Sequence, residues 1–227
     1  MSARSTEPLL RELARDLQPV QPLPRLRSVA AGALLIWLLA LFVDWMFGGP
    51  SPRFAEGELW RGAAFVAVLA WLLCTAVGAT LAALAGAVPG REGDARIGIA
   101  VGIGGLALAT ASGVWAVAGQ GAGSGSHPLA TSVACVSRAT ALGIVPALVA
   151  CAYLARAGVR TPRAGAAAAA AGCAALGAAA VHASCPSESA LHVLLGHSLA
   201  PFFAALVLAF PLAALVRRCS RRGGSVL

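Results

Sequence analysis

Long apolar runs separated by short polar turns dominate the chain. A helix that crosses a bilayer needs about 20 mostly apolar residues, and six runs are of that kind. The predicted spans are 29–47, 63–88, 97–119, 133–155, 164–183 and 190–216. Because little sequence remains between them for a folded domain outside a bilayer, the pattern predicts an all-α integral membrane protein, a bundle of six transmembrane helices. In the third span, Gly98 and Gly102 are four residues apart, a spacing that favours close helix packing.

A different pattern precedes the first span, in the arm formed by residues 1–28. Four of its leucines recur at helical spacing, at Leu9, Leu10, Leu13 and Leu17, and the prolines that follow end the helix. A helix this short is marginal alone, so its apolar face needs a surface to bury against. The membrane or the protein's own bundle is one such surface, and a groove on a cytoplasmic partner is the other. The balanced charges of the arm, which include Asp16, favour the partner groove over anionic lipid.

Composition supports the same class of protein. Hydrophobic residues make up 59% of the 227 residues and charged residues only 11%, whereas a soluble domain averages about 25% charged residues. So few charges argue against a soluble globular protein, a disordered chain and a secreted disulfide scaffold.

The net charge of +8 is mainly a topology signal. Cytoplasmic loops are enriched in basic residues. If the N-terminus is cytoplasmic, 14 of the 17 arginines fall on the cytoplasmic side, in the arm, in two loops and in the basic tail 217–227. Arg53 and Arg61 fall on the other side, and Arg138 lies within the fourth span. Both termini are therefore predicted to be cytoplasmic, and the basic charge does not imply nucleic-acid binding.

This predicted topology places the six cysteines at different depths of the membrane. Only Cys135 and Cys185 are predicted near the outer face, where a disulfide is permitted. Two thiols there can also bind a soft metal or react with an oxidant, or they can be two unrelated small residues. His182 and His192 share this face, so a metal site of these four side chains is an alternative to histidines that merely cap helix ends.

Two charges are predicted at membrane depth. Asp44 lies near the outer end of the first span and Arg138 lies in the outer part of the fourth. Ionisable groups inside a membrane are costly and usually paired, so an Asp44–Arg138 ion pair is expected. The alternative is that each side chain reaches the interface separately.

Enzymatic signatures are lacking. The sequence contains no phosphate-binding loop after a strand, no nucleophile elbow and no zincin motif, so neither an enzyme, a cofactor nor a small-molecule substrate is expected. The main alternative function is a small membrane transporter or permease, which should place paired polar groups near the bilayer midplane. The midplane residues here are mostly Ala, Gly, Leu and Val.

Two short motifs carry a family resemblance. Residues 13–23 read LARDLQPVQPL, and residues 185–193 read CPSESALHV. The first resembles the "LAxDLxPVxPL" opening, and the second the "CPxxSxxHV" segment, of NrsF-type membrane anti-sigma factors. Six spans, cytoplasmic termini and the chain length are also similar to that family.

The resemblance implies a function and a location. NrsF-type proteins lie in the bacterial inner membrane, where they bind a cytoplasmic extracytoplasmic-function sigma factor and keep it from RNA polymerase until an oxidative or metal stress releases it. The resemblance also implies a joint sensory role for Cys135 and Cys185, although Arg138 makes the region around Cys135 more polar than the family pattern. The arm leucines, together with Asp16, are then the expected contacts with the sigma factor.

Overall fold

The computed structural model describes residues 23–48, 62–120, 128–187 and 189–224. Helices joined by short turns make up this part of the chain, and no strand occurs in it. The predicted arm helix, with Leu9, Leu10, Leu13, Asp16 and Leu17, lies outside the described residues. The prediction of an all-α fold with six long apolar helices is confirmed.

The described chain forms six helical segments. Five are single helices: α1 (Leu26–Gly48), α2 (Ala63–Ala85), α3 (Glu92–Gln120), α4 (Pro128–Ala157) and α5 (Pro162–Ser184). The sixth consists of a short helix α6 (Ala190–Val193), a π-helical turn (Leu194–Ser198) and α7 (Ala200–Gly224). Each segment contains an apolar stretch long enough to cross a bilayer.

Tight turns make α2 antiparallel to α3 and α4 antiparallel to α5. The turn from α2 to α3 contains Gly90 at φ +83°, and the turn from α4 to α5 contains Gly158 at φ +62°. Glycine adopts these left-handed conformations without the steric cost that a Cβ would add. Pro162 then starts α5 at a position where its missing N–H costs no hydrogen bond.

The two ends of the bundle carry different groups. We call the end where α4 begins and α5 ends the cysteine end, and the opposite end the arginine end. Apart from Arg138, the described arginines lie in turns or terminal helical turns at the arginine end: Arg25, Arg27, Arg91, Arg96, Arg156, Arg160, Arg163, Arg217, Arg218, Arg221 and Arg222. The arginine grouping inferred from the sequence therefore coincides with one end of the described bundle.

Small residues let the inner helices approach closely. A Cβ at Gly177 in α5 would collide with the carbonyl oxygen of Ala139 in α4. Between α2 and α3, a Cβ at Gly78 would lie 2.7 Å from the Cα of Gly102 and 2.8 Å from the carbonyl oxygen of Gly98. The spacing of Gly98 and Gly102 thus marks a close helix crossing, as the sequence predicts.

The outside of the bundle is apolar. Leu35, Ile103 and Val207 are each 65–68% exposed, and many other large apolar side chains lie beside them on the surface. A soluble monomer rarely exposes a continuous apolar surface of this kind. The exposed belt therefore lies on six helices that are long and apolar enough to cross a membrane.

Candidate functional site

Four side chains meet at the cysteine end and form what we call the thiol–imidazole cluster. Cys135 lies near the start of α4, Cys185 directly follows α5, His192 lies in α6, and His197 lies in the π-helical turn. One ligand atom from each residue lies within 4.8 Å of the others. Three separate stretches of chain therefore converge on a single group of soft and borderline ligands.

His192 lies close to both sulfurs of the cluster. Its Nε2 lies 3.2 Å from the Cys185 Sγ and 3.5 Å from the Cys135 Sγ. The two sulfurs are 4.0 Å apart, and both cysteines are free thiols. His197 completes the group, with its ring centroid 5.1 Å from that of His192. Both histidines are buried, and Cys135 is the most accessible member.

The π-helical turn places His197 in the cluster. In a regular α-helix, residues five apart lie about 140° apart around the axis, so His192 and His197 would face different neighbours. Here the Leu199 N–H donates to the Leu194 carbonyl five residues earlier, at 3.0 Å. The wider turn returns His197 to the side that carries His192, and such turns often occur at functional sites.

Hydroxyl groups of α4 hold the other edge of the His192 ring. The Nδ1 atom lies 3.2 Å from the Ser132 Oγ and 3.3 Å from the Thr131 Oγ1. Ser132 is buried and lies three residues before Cys135 on α4. Because one edge of the ring contacts α4 hydroxyls, the opposite edge is directed at the two sulfurs.

The surroundings of Cys185 favour its thiolate. A hydrogen bond from the Cys135 thiol lowers the pKa of Cys185, and the His197 ring and the backbone at Ser187 act in the same direction, while burial opposes them. A thiolate is both the nucleophile in disulfide chemistry and the form that binds metals. The cluster can therefore undergo oxidation or bind a metal ion.

The structure places His182 beside the cluster and not in it. Its ring stacks on Phe65 with centroids 4.4 Å apart, and its Nε2 lies 3.3 Å from the Phe65 carbonyl oxygen. His197, 5.2 Å from His182 between ring centroids, takes the position that the sequence analysis gave to His182. The sequence analysis left His197 out of the metal candidates, since His197 lies five residues further into the sixth span than His192.

The structure brings Asp44 and Arg138 together. Arg138 donates from Nε to one carboxylate oxygen of Asp44 at 2.9 Å and from its terminal nitrogen to the other at 2.6 Å. This fork-shaped pair links α1 to α4. Arg138 lies three residues after Cys135, one helical turn along the same helix, so the ion pair is adjacent to the cluster.

The first described helix leads from this ion pair to the arm. α1 has 23 residues and is therefore about 34 Å long. Its start at Leu26 packs against the core at the arginine end, and its last turns carry Asp44. The arm residues predicted to bind a partner precede α1 in the sequence and lie outside the described residues.

Comparison with known proteins identifies the family. The family described as "NrsF: Negative regulator of sigma F" matches residues 13–218, nearly the whole chain. No curated protein and no solved structure matches the chain. The regulatory family name indicates a sigma factor as partner and a non-enzymatic role. The chain belongs to the NrsF family of negative regulators of sigma F.

Proposed function

We propose that this chain is a membrane-bound anti-sigma factor that holds an extracytoplasmic-function sigma factor at the bacterial inner membrane and releases it on envelope stress. The family match over residues 13–218 carries this proposal. The six apolar helices supply the membrane anchor. A sigma factor held at the membrane is kept from RNA polymerase, which gives the negative regulation in the family name.

The charges of the bundle support an orientation. The arginine end faces the cytoplasm, because basic residues near span ends favour that side. Both termini are then cytoplasmic, and the arm lies on the side where the sigma factor is. The cysteine end faces outward, where oxidants and metal ions from the envelope reach it.

The arm supplies the main contact with the sigma factor in this proposal. Leu9, Leu10, Leu13 and Leu17 form the apolar stripe that enters a groove on the partner, and Asp16 lies beside it. A standard interface buries about 800 Å² on each partner, which is more than one short helix provides. The loops at the arginine end therefore contribute secondary contacts.

The thiol–imidazole cluster supplies the sensor. Hydrogen peroxide oxidises the Cys135 and Cys185 thiols to a disulfide, accepting their two electrons and two protons as its O–O bond breaks and two waters form. Binding of a metal ion by the same thiols is the second signal that the cluster detects. Either event draws Cys135 and Cys185 into a new arrangement and shifts the start of α4.

The Asp44–Arg138 ion pair passes that shift to α1. Cys135 and Arg138 lie one turn apart on α4, so a displaced Cys135 moves the guanidinium that holds Asp44. An apolar groove of about 420 Å³, lined by residues of α1, α2 and α5 among others, gives α1 room to respond. The movement reaches the arm at the other end of α1.

The arm is tested by co-purification of the cognate sigma factor with the full-length membrane protein. Leu13→Glu with Leu17→Glu should lower the amount recovered about tenfold or more, because charges then occupy the apolar stripe. Ser2→Glu with Ser5→Glu adds the same charge to the arm outside the stripe and should leave recovery unchanged. Undiminished recovery with the leucine variant would overturn the role of the arm.

The sensor is tested by transcription from the sigma-dependent promoter under peroxide and under cadmium. Cys135→Ser with Cys185→Ser should abolish induction by both stresses, whereas Cys74→Ser with Cys219→Ser, which removes two free thiols outside the cluster, should respond as the wild type. A normal response in the first variant would remove the cluster cysteines from the mechanism.

A further inference from the structure

We propose that Cys135, Cys185, His192 and His197 form a closed, tetrahedral binding site for one divalent ion of the zinc group, Zn²⁺ or Cd²⁺. The inference specifies how the sensor of the proposed function is regulated, and it rests on that function only for its regulatory consequence. Its structural basis is the geometry of the four side chains.

The distances match those of a tetrahedral site. Zinc binds cysteine sulfur at about 2.3 Å and histidine nitrogen at about 2.0–2.1 Å, which puts two sulfurs about 3.8 Å apart and a sulfur and a nitrogen about 3.6 Å apart. The observed separations are 4.0 Å between the sulfurs and 3.2 and 3.5 Å from them to His192 Nε2. The His197 ligand atom lies within 4.8 Å of the other three, so small side-chain rotations complete the site.

The His192 ring is oriented as a metal ligand. In the tautomer that carries its proton on Nδ1, His192 donates to the Ser132 hydroxyl and presents the Nε2 lone pair to both sulfurs. Metal-binding histidines commonly donate their other N–H to such an outer partner, which fixes the tautomer and the ring orientation. Ser132 therefore acts as the positioning residue of the site.

The charges of the four side chains favour a bound divalent ion over two thiolates without an ion. Two thiolates and two neutral imidazoles neutralise the two positive charges of the ion, so the complex has no net charge in its buried surroundings. His192 and His197 are 1% and 0% exposed, and their rings close the site from the α6 side. With four protein ligands the site has no open position, which is typical of structural zinc and not of catalytic zinc.

Metal binding and disulfide formation exclude each other at this site. When a peroxide oxidises the two metal-bound thiolates, the S–S bond forms, the O–O bond breaks, two protons from solvent complete two waters, and the ion leaves. Metal capture and oxidation are therefore alternative inputs that use the same two sulfurs, and oxidation expels a bound ion. Cadmium, a softer ion, occupies the same ligands under metal stress.

The test uses the full-length, reduced protein in detergent, with Co²⁺ as the spectroscopic probe and Zn²⁺ as the competitor. The wild type should bind one Co²⁺ per chain with the intense visible absorption of tetrahedral cobalt and a thiolate charge-transfer band, and Zn²⁺ should displace it. Prior oxidation with peroxide should abolish binding. Reduced wild-type protein that binds no stoichiometric ion, or binds it without thiolate absorption, would overturn the site.

Two histidine variants separate the cluster from its surroundings. His197→Ala should weaken Zn²⁺ binding at least tenfold, whereas His182→Ala removes a neighbouring histidine outside the cluster and should bind as the wild type does. Equal, undiminished affinity in the two variants would exclude His197 as a ligand. Ser132→Ala should weaken binding and shift the cobalt spectrum less than His197→Ala does.

Zn²⁺ binding and sigma-factor recovery, measured on the same preparations, distinguish failure of the metal site from failure of the proposed function. If Zn²⁺ binds with the expected spectrum but sigma-factor recovery is unchanged by metal or peroxide, the metal site stands and its regulatory role fails. If the wild type retains and releases the sigma factor on peroxide treatment but binds no Zn²⁺, the proposed function stands and the metal site fails.

Discussion

α5 and α1 are both long apolar helices, yet they are held in the bundle in opposite ways. In the central apolar stretch of α5, 61% of the residues are buried within the bundle, whereas none of the corresponding residues of α1 is. α5 consists largely of alanine and glycine and lies against α4, α2 and α7. α1 carries large side chains such as Leu35 that face outward.

The difference assigns separate roles to the two helices. α5 is fixed, because its backbone lies so close to α4 that Gly177 has no room for a side chain. α1 packs mainly against α4 and is joined to it by the Asp44–Arg138 ion pair. In the proposed mechanism α5 is thus the scaffold that holds Cys185 in place, and α1 is the element free to carry a signal.

Because α5 is the more tightly packed helix, a side chain added to α5 should have the largest effect on the free energy of unfolding. Gly177→Leu forces a branched side chain against the Ala139 backbone, and overpacking of this kind should cost about 3 kcal/mol or more of unfolding free energy. Gly32→Leu is the matched control in α1, where an added Cβ meets nothing within 4 Å. Thermal unfolding in detergent should separate the two variants clearly, and equal midpoints would refute the distinction between scaffold and mobile helix.

Breaking the ion pair should give the next largest effect, on regulation more than on stability. Asp44→Asn removes the carboxylate charge that Arg138 contacts and weakens the attachment of α1 to α4. Sigma-factor recovery should fall about tenfold without any stress, equivalent to about 1.4 kcal/mol of binding free energy. The unfolding midpoint should fall as well, though less than in Gly177→Leu, because the substitution leaves Arg138 without a counter-ion where an unpaired charge is costly.

A charge exchange provides the control for that result. Asp44→Arg combined with Arg138→Asp restores an ion pair between the same helices and should recover most of the sigma-factor binding. If Asp44→Asn retains the sigma factor as the wild type does, the ion pair has no part in transmission.

The smallest effect is expected on the outward face of α1. Leu35 is 68% exposed, so in a membrane its side chain contacts lipid tails before and after truncation. Leu35→Ala should change the unfolding free energy by no more than about 0.5 kcal/mol and should leave sigma-factor recovery unchanged. A large loss in either measurement would show that this face packs against another protein chain.

The helices, one close helix crossing and part of the candidate site can be predicted from local patterns in the sequence. The six helices follow from long apolar runs, and the close crossing of α2 and α3 follows from Gly98 and Gly102. The predicted topology places Cys135, Cys185 and His192 at the same end of the bundle, and the family resemblance adds a joint role for the two cysteines. The sequence analysis paired Asp44 with Arg138 from the cost of isolated charges in a membrane.

The remaining features depend on geometry that local pattern does not encode. His197 joins the cluster through a π-helical turn, and a helical pattern read at 100° per residue rotates it away from His192. The peripheral position of α1 is also not evident from the sequence, because both α1 and α5 are apolar enough to be predicted as membrane spans. Only the distribution of large and small side chains, leucine-rich in α1 and alanine-rich in α5, distinguishes them in retrospect.

The most direct test of the proposed signal transmission is a distance measurement across the arginine end during oxidation of the cluster. Spin labels are attached to non-natural amino acids at Arg27 in α1 and Arg218 in α7, both of which are exposed. Double electron–electron resonance between the labels reports the position of α1 relative to α7, which packs against α5. Peroxide should shift the distance distribution in the wild type but not in the Cys135→Ser, Cys185→Ser variant. An unchanged distribution in wild-type protein whose Cys135–Cys185 disulfide has formed would contradict the proposed signal transmission.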